Sequence, residues 1–319
     1  NENISTKSKY ICVTRPRRFG KSSVADMLGA YYSKAIDSKA IFDKLKISKN
    51  DDYLEKLNKY NVISISFAEI DSNCSNCVEY IDRISNLLRE DLKEKFPKAN
   101  IDEKYTIWEV FSQLDEKFIF IFDEWDYIFN ANIFEEDQDK FLEFLMKLLK
   151  DKPYVALAYM TGILPIKKYS SGSSLNMFDE FTILNDMIYG EYFGFTEEEV
   201  KMLCDKQSSI SFDEISSWYN GYLSEEGSRI YNPRSVIKAL KNKKCKSYWT
   251  NTGAMDEVEE YLKYNILEIR DEVIEMVSGE EIDIFIDEEF RAGQGTPKTK
   301  EEIYSAMIVL GFLSYHDGY

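Results

Sequence analysis

The chain has 319 residues, 44% hydrophobic and 30% charged, with 14 Gly and 6 Pro; that suits one large or two ordinary domains and excludes a disordered, collagenous or disulfide-stapled chain. Its 40 Lys and Arg against 57 Asp and Glu give a net charge of −17, which repels phosphate backbones and anionic membranes, so any nucleic-acid contact must be local. Apolar runs stay as short as Phe118–Phe122, far below the ~18 to 20 residues of a membrane span, and the polar start 1–9 holds no signal-peptide core, so a cytoplasmic setting is expected.

In chain order, residues 9–14 (KYICVT) predict a buried strand, and 21–33 carry helical spacing through Val24, Met27, Leu28 and Tyr31. Helical periodicity returns at 51–57, followed by a strand at 62–67 (VISISF), whose β-branched residues alternate with serines. A long helix over 77–96 stops at Pro97. A shorter helix is expected at 107–114, and Phe118–Phe122 (FIFIF) reads as a central parallel strand that ends on Asp123-Glu124. An amphipathic helix at 135–149, a buried strand at 154–160 ending on Thr161-Gly162, and a short fifth strand at 181–184 complete the pattern. Strands alternating with helices predict a doubly wound parallel α/β sheet.

Beyond about Tyr192 the pattern turns helical, opening on a Thr196-x-x-Glu199 capping box. Strand-like residues return only at 281–286 and 311–315, which suits a small winged-helix-like or α+β module. We therefore expect two domains, 1–192 and 193–319, and find no internal repeat.

Arg15-Pro16-Arg17-Arg18-Phe19-Gly20-Lys21-Ser22-Ser23 sits between a strand and a helix, where main-chain N–H groups and the helix dipole hold phosphate. In such a setting Lys21 can reach the β- and γ-phosphates, the Ser22 hydroxyl is expected to ligate Mg²⁺, and Gly20 would let the main chain approach the ligand. Arg15 stands where the pattern G-x-x-x-x-G-K-[ST] has its first glycine; Pro16 stiffens the turn in its place. Arg15, Arg17 and Arg18 either add charge near the phosphates or face solvent or an acidic partner. The second half of the motif is FIFIF with Asp123-Glu124, a Walker B strand, and the two together predict a P-loop NTPase. Asp123 is expected to hold Mg²⁺ through water and Glu124 to orient and deprotonate the attacking water, with a helix-capping or ion-paired Glu124 as the alternative. Asp126 is either a further acid near the site or a helix cap, and Thr161 either a polar sensor of the γ-phosphate or a simple turn.

These residues resemble the AAA-ATPase-like family of P-loop proteins. Its TRPRRFGKS loop is Thr14–Ser22 without a change, and Asp123-Glu124-Trp125-Asp126 is similar to its DEYD. The likeness continues through Thr161-Gly162-Ile163, Phe193-Gly194-Phe195-Thr196, Trp218-Tyr219-Asn220-Gly221-Tyr222, Tyr231-Asn232-Pro233-Arg234-Ser235 and Tyr248-Trp249-x-x-Thr252-Gly253. The resemblance makes the arginine-rich loop a regular form. It implies an ATPase of the additional-strand, catalytic-glutamate type, related to STAND and archaeal ATPases, with sheet order 5-1-4-3-2, acting with ATP and Mg²⁺ as motor or switch of a larger protein. Many members continue into a nuclease-like domain. This chain ends near where that domain would begin, so it is expected to be a fragment, and DNA cleavage would belong to sequence outside it. A nucleotide-gated binding module with negligible turnover is the alternative reading, and a role in nucleic-acid or defence processes follows only by association.

Other features carry less. Asp283, Asp287, Glu288 and Glu289 lack a following Glu-x-Lys strand and read as a solvated edge. Five cysteines, an odd number, fit a reducing compartment; Cys74-x-x-Cys77 has no second pair and His316 is the only histidine, so zinc lacks partners. The 22 Tyr and 20 Phe have no interleaved basic stripe and read as core. Arg234 is a candidate arginine finger.

Overall fold

The computed structural model of the chain describes residues 1–69, 73–131, 133–166, 175–183, 188–219, 221–223, 227–248, 267–277, 280–286 and 299–314. Asn220, Trp249, Thr252, Gly253, the acids at 287–289 and His316 lie outside the described residues.

The main sheet contains β1 (Tyr10–Thr14), β2 (Asn61–Ser66), β3 (Phe118–Asp123), β4 (Val155–Gly162) and β5 (Asp179–Phe181). It is parallel, in the order β2-β3-β4-β1-β5, the expected 5-1-4-3-2 read from the other edge. Position in the sheet follows from composition. The residues Phe118–Phe122 of β3 are at most 1% exposed, because a strand covered on both faces has no polar side to present. All eight residues of β4 are buried, whereas β2, at the edge, is only half-buried and carries the serines. The fifth strand forms two residues earlier than expected, at Asp179–Phe181.

The chain divides into two compact units, the first comprising Asn1–Val13, Ser22–Gly162 and Ile166–Glu180, the second Thr14–Lys21, Ile163–Pro165 and Phe181–Tyr319. In the first unit, α1 (Lys21–Tyr32) leads from the loop, and the short α2 (Lys39–Phe42) and α3 (Tyr53–Lys56) precede β2. Then come α4 (Cys77–Lys95), α5 (Ile107–Gln113), the short α6 (Tyr127–Asn130) and α7 (Gln138–Leu149). Asn76 caps α4 by accepting from the Glu79 N–H at 3.0 Å, and Thr106 with Glu109 forms a capping box on α5. Phe141 of α7 is fully buried; the ring of Phe67 sits edge-on between it and Phe122 of β3, with centroids at 5.0 and 5.3 Å.

In the second unit, Thr196 and Glu199 cap α8 (Glu197–Gln207) as expected, and Ser208 ends it in the left-handed region at φ 51°. α9 (Phe212–Tyr219) follows, then α10 (Pro233–Asn242), whose cap Asn232 accepts from the Ser235 N–H and whose first residue is proline. Among them lies a three-stranded antiparallel sheet of β6 (Phe195–Thr196), β7 (Tyr222–Leu223) and β8 (Arg229–Tyr231), in the order β6-β8-β7. Val200, Ile215, Tyr231, Val236 and Ala239 form the core of this helix-rich region. The last helices, α11 (Leu267–Val277) and α12 (Lys300–Leu310), are joined by Glu272, which accepts from Lys300 and the Tyr304 hydroxyl. Two expected strands are not seen among the described residues: 281–286 has no strand partner there, and at 311–314 the chain turns after α12, with Tyr315 outside the described residues. Alternating apolar residues there pack onto the small core of Ile269, Ile303, Tyr304 and Met307, to which Ile282, Ile284 and Phe312 contribute.

Candidate active site

Residues 15–20 carry the chain from β1 into α1. Arg18 and Gly20 have φ of +73° and +86°. A Cβ on Gly20 would meet no atom within 4 Å, so glycine serves here through its φ, not through crowding by the protein. Lys21, 8% exposed, is the first helical residue; its ammonium donates to the carbonyls of Arg15 at 2.9 Å and Pro16 at 3.0 Å, drawing the side chain back across the loop. Ser22 and Ser23 are exposed at the helix start.

The arginines separate. Arg15 is 3% exposed, which removes the solvent-facing alternative for it. Its Nη1 donates to the carbonyls of Thr14 at 2.7 Å and Phe181 at 3.0 Å, and its guanidinium stands 5.3 Å from the centre of the Phe193 ring. Arg17 is exposed and Arg18 half-buried. Burial lowers the Arg18 pKa, and the cations of Arg234 and Arg17 lower it further. Arg234, on the first turn of α10, therefore belongs to the same positive cluster.

At the end of β3, Asp123 pairs in register with Thr161 on β4 and Ser66 on β2. Its Oδ1 accepts from the Glu124 N–H at 3.1 Å. Glu124 is exposed and held at φ +51°, a left-handed conformation that costs a non-glycine residue about 1–2 kcal/mol. The next two residues turn inward: Trp125 is fully buried and donates its main-chain N–H to Thr161 O at 3.1 Å, and Asp126 is 1% exposed. Asp126 stands at the N-cap position of α6 without a side-chain cap bond; its Oδ2 accepts from Asn130 Nδ2 at 3.1 Å. The Thr161 hydroxyl, fully buried, has no hydrogen-bond partner among the described residues. Since β4 lies between β3 and β1 in the sheet order, Thr161 occupies the strand expected of a polar sensor.

A family model described as predicted AAA-ATPase matches residues 2–171, a span that includes the loop, Asp123-Glu124 and Thr161. The chain belongs to the predicted AAA-ATPase family. Membership makes this an ATP-binding P-loop protein at the level of the family. A search of curated proteins finds no match. Among solved structures, a Walker-type ATPase of Pyrococcus abyssi is similar, at 15% identity and a TM-score of 0.36, over 73% of this chain and 63% of that one. The chain thus spans less than two thirds of that ATPase's length.

Three residues beside the loop and the acidic end of β3 add to the site. Thr14, the last residue of β1, also has a buried hydroxyl without a partner among the described residues; its place at a strand's carboxyl end was a readable signal. Gly162 is required sterically, since a Cβ there would lie 2.5 Å from Asp126 Oδ1 and 2.8 Å from Trp125 Cδ1. No sequence pattern foretells that approach. Trp125, replacing the tyrosine of the family's DEYD, has its indole N–H buried without a partner among the described residues. Burial, with Asp137 adding to it, pushes the Cys77 thiol up to about 11, so at neutral pH it is a protonated and weak nucleophile. Among the described residues no group of three or more His, Cys, Asp or Glu gathers to hold a metal, and no helix is long and apolar enough to cross a membrane.

Proposed function

We propose that the chain binds ATP with Mg²⁺ and hydrolyses it, as the motor or switch module of a larger protein. Residues 1–192 are the ATPase domain in this reading and 193–319 its helical module, working in the cytoplasm. The observation that carries the hydrolytic part is Glu124, exposed at positive φ directly after Asp123, because a strained acid beside one that would hold the metal would be aimed to act as a base.

The main-chain N–H groups of the loop and the start of α1 would hold the phosphates, and Lys21 would leave its carbonyl partners for the β- and γ-phosphate oxygens. Arg17 and Arg18 would add charge there, while Arg15, Pro16 and Phe19 shape the loop. Ser22 and Asp123 offer a hydroxyl and a carboxylate, hard oxygen donors of the kind Mg²⁺ takes beside substrate phosphates; the ion, when bound, would offset charge on the phosphates. Glu124 would accept a proton from the water whose oxygen attacks the γ-phosphorus, while the bond to the bridging oxygen breaks and ADP keeps the electron pair. Thr161 would donate its hydroxyl to the γ-phosphate or the attacking water, gaining a partner it lacks among the described residues.

Calorimetric titration with ATP tests the binding half. The wild-type chain is expected to bind one nucleotide and Lys21→Ala to lose most of that affinity; equal binding by both would remove the loop from the reading. A nucleotide-gated interaction module with negligible turnover is the second reading, favoured by the packing of the loop on Tyr222 and Gly311 of its own unit.

A further inference from the structure

Each residue of the loop from Arg15 to Phe19 is met by the later segment of its own unit. Arg15 stands over Phe193. Pro16 is packed so closely on Gly311, at the end of α12, that a Cβ there would lie 2.5 Å from Pro16 Cβ and 3.0 Å from its Cγ. The Arg17 carbonyl accepts from Asn232 Nδ2 at 3.3 Å, and Arg18 feels the charge of Arg234. Phe19, 2% exposed, receives the Tyr222 ring edge-on with centroids 5.1 Å apart, and the Tyr222 hydroxyl donates to Gly311 O at 2.6 Å. Tyr222 therefore ties the loop's aromatic residue to the residue that packs on its proline.

Gly311 is fixed as strictly as a loop glycine: at φ +84° it closes α12, with its N–H bonded to Ile308 O at 2.9 Å. A loop with glycine at its first position takes its shape from local freedom. With Arg15-Pro16 in that place, the shape must come from what the loop rests on, and the contacts above supply it.

We propose that Tyr222, Asn232 and Gly311 are positioning residues of the nucleotide site, holding residues 15–19 in the conformation that receives phosphate, so that nucleotide occupancy and the end of α12 are coupled. This rests on the loop being the nucleotide site. Coupling follows because a ligand that binds one loop conformation must, by linkage, favour the arrangement of Tyr222 and Gly311 that goes with it.

The test is titration of the full chain with ATP and with ADP, reading both dissociation constant and stoichiometry. Gly311→Ala is expected to weaken binding roughly tenfold or more, by forcing a methyl into Pro16, and Tyr222→Leu by about three- to tenfold, through loss of the ring contact. Asn232→Ser keeps a cap for α10 but cannot reach Arg17, and should weaken binding by about threefold with no loss of helix. Met202→Ala, at an exposed position of α8, should leave binding unchanged. Loss of affinity at full stoichiometry, with Tyr222→Phe lying between wild type and Tyr222→Leu, supports positioning. Unchanged dissociation constants in all three variants, or reduced stoichiometry at an unchanged constant, overturn it. Amide exchange adds a readout: nucleotide should slow exchange at Gly311 and Phe312, and no change there would refute the coupling. A wild-type chain that binds no nucleotide would instead dispose of the underlying site.

Discussion

Gly162→Ala isolates the packing that holds the acidic end of β3. Gly162 ends β4 outside the positive-φ region, so alanine is conformationally acceptable and sterics alone are tested. The new Cβ would lie 2.5 Å from Asp126 Oδ1 and 2.8 Å from Asp126 Cγ and Trp125 Cδ1, where ordinary contacts begin at 3.4 Å. Gaps must therefore open by 0.9 Å (3.4 − 2.5) and 0.6 Å (3.4 − 2.8). Trp125 is fully buried and Asp126 1% exposed, so neither has solvent to move into. Overpacking of this kind costs about 1–3 kcal/mol. Turning the carboxylate away from Asn130 loses a charged hydrogen bond of about 1.5–3 kcal/mol, and the stiffer unfolded chain returns about 0.4–1 kcal/mol. The expected net loss is about 1.5–5.5 kcal/mol. Urea unfolding followed by tryptophan fluorescence should show a lower midpoint at an unchanged slope. A midpoint within about 0.5 kcal/mol of wild type, the range of ordinary surface substitutions, would refute the packing argument.

Glu124→Gly should release left-handed strain and keep or raise stability by up to about 1 kcal/mol while abolishing phosphate release; a clear loss of stability would show that Glu124 is structural. In the second unit, burial opposes ionisation of Glu272, but the bonds from Lys300 and Tyr304 outweigh it and hold its pKa below the ordinary carboxylate value. Its stabilising contribution is therefore complete above the unfolded value near pH ~4.3 and is lost as pH falls through the depressed folded one. Glu272→Gln should flatten the acid limb of a stability-against-pH curve, and an identical limb would exclude Glu272 as its source. Cys12, Cys77, Cys204 and Cys245 are buried and Cys74 half-buried, so limited alkylation of the native chain should mark Cys74 first by peptide mapping; rapid labelling of Cys12, whose thiol burial pushes well up, would contradict the sheet.

Much of the first unit was legible because its signals are long. FIFIF reads as a doubly covered strand, and Asp123 and Thr161 meet in register as their strand ends implied; in the second unit the Thr196 capping box marks the start of α8. The antiparallel sheet of β6, β7 and β8 was not legible, since strands of two or three residues are too short to show a period of two. The segment 281–286 erred the other way: it alternates, but it has no ladder partner among the described residues and its apolar side chains serve a helix pair. Lys21, Asp123 and Glu124 were read from motif, whereas the role of Arg15 was not, because a buried guanidinium on main-chain carbonyls depends on residues far along the chain, Phe181 and Phe193.

The central claim is that Glu124 turns a nucleotide-binding loop into a hydrolase. The most direct measurement is Mg²⁺-dependent phosphate release from ATP by the wild-type chain and by Glu124→Gln, with ATP affinity determined on the same samples. The account predicts turnover in the wild type, and in the variant a fall of about 10²–10⁴-fold at near-unchanged affinity, the usual contribution of a positioned general base. Equal turnover in both would contradict the role given to Glu124; tight binding with no turnover in either would make the chain a nucleotide-held switch.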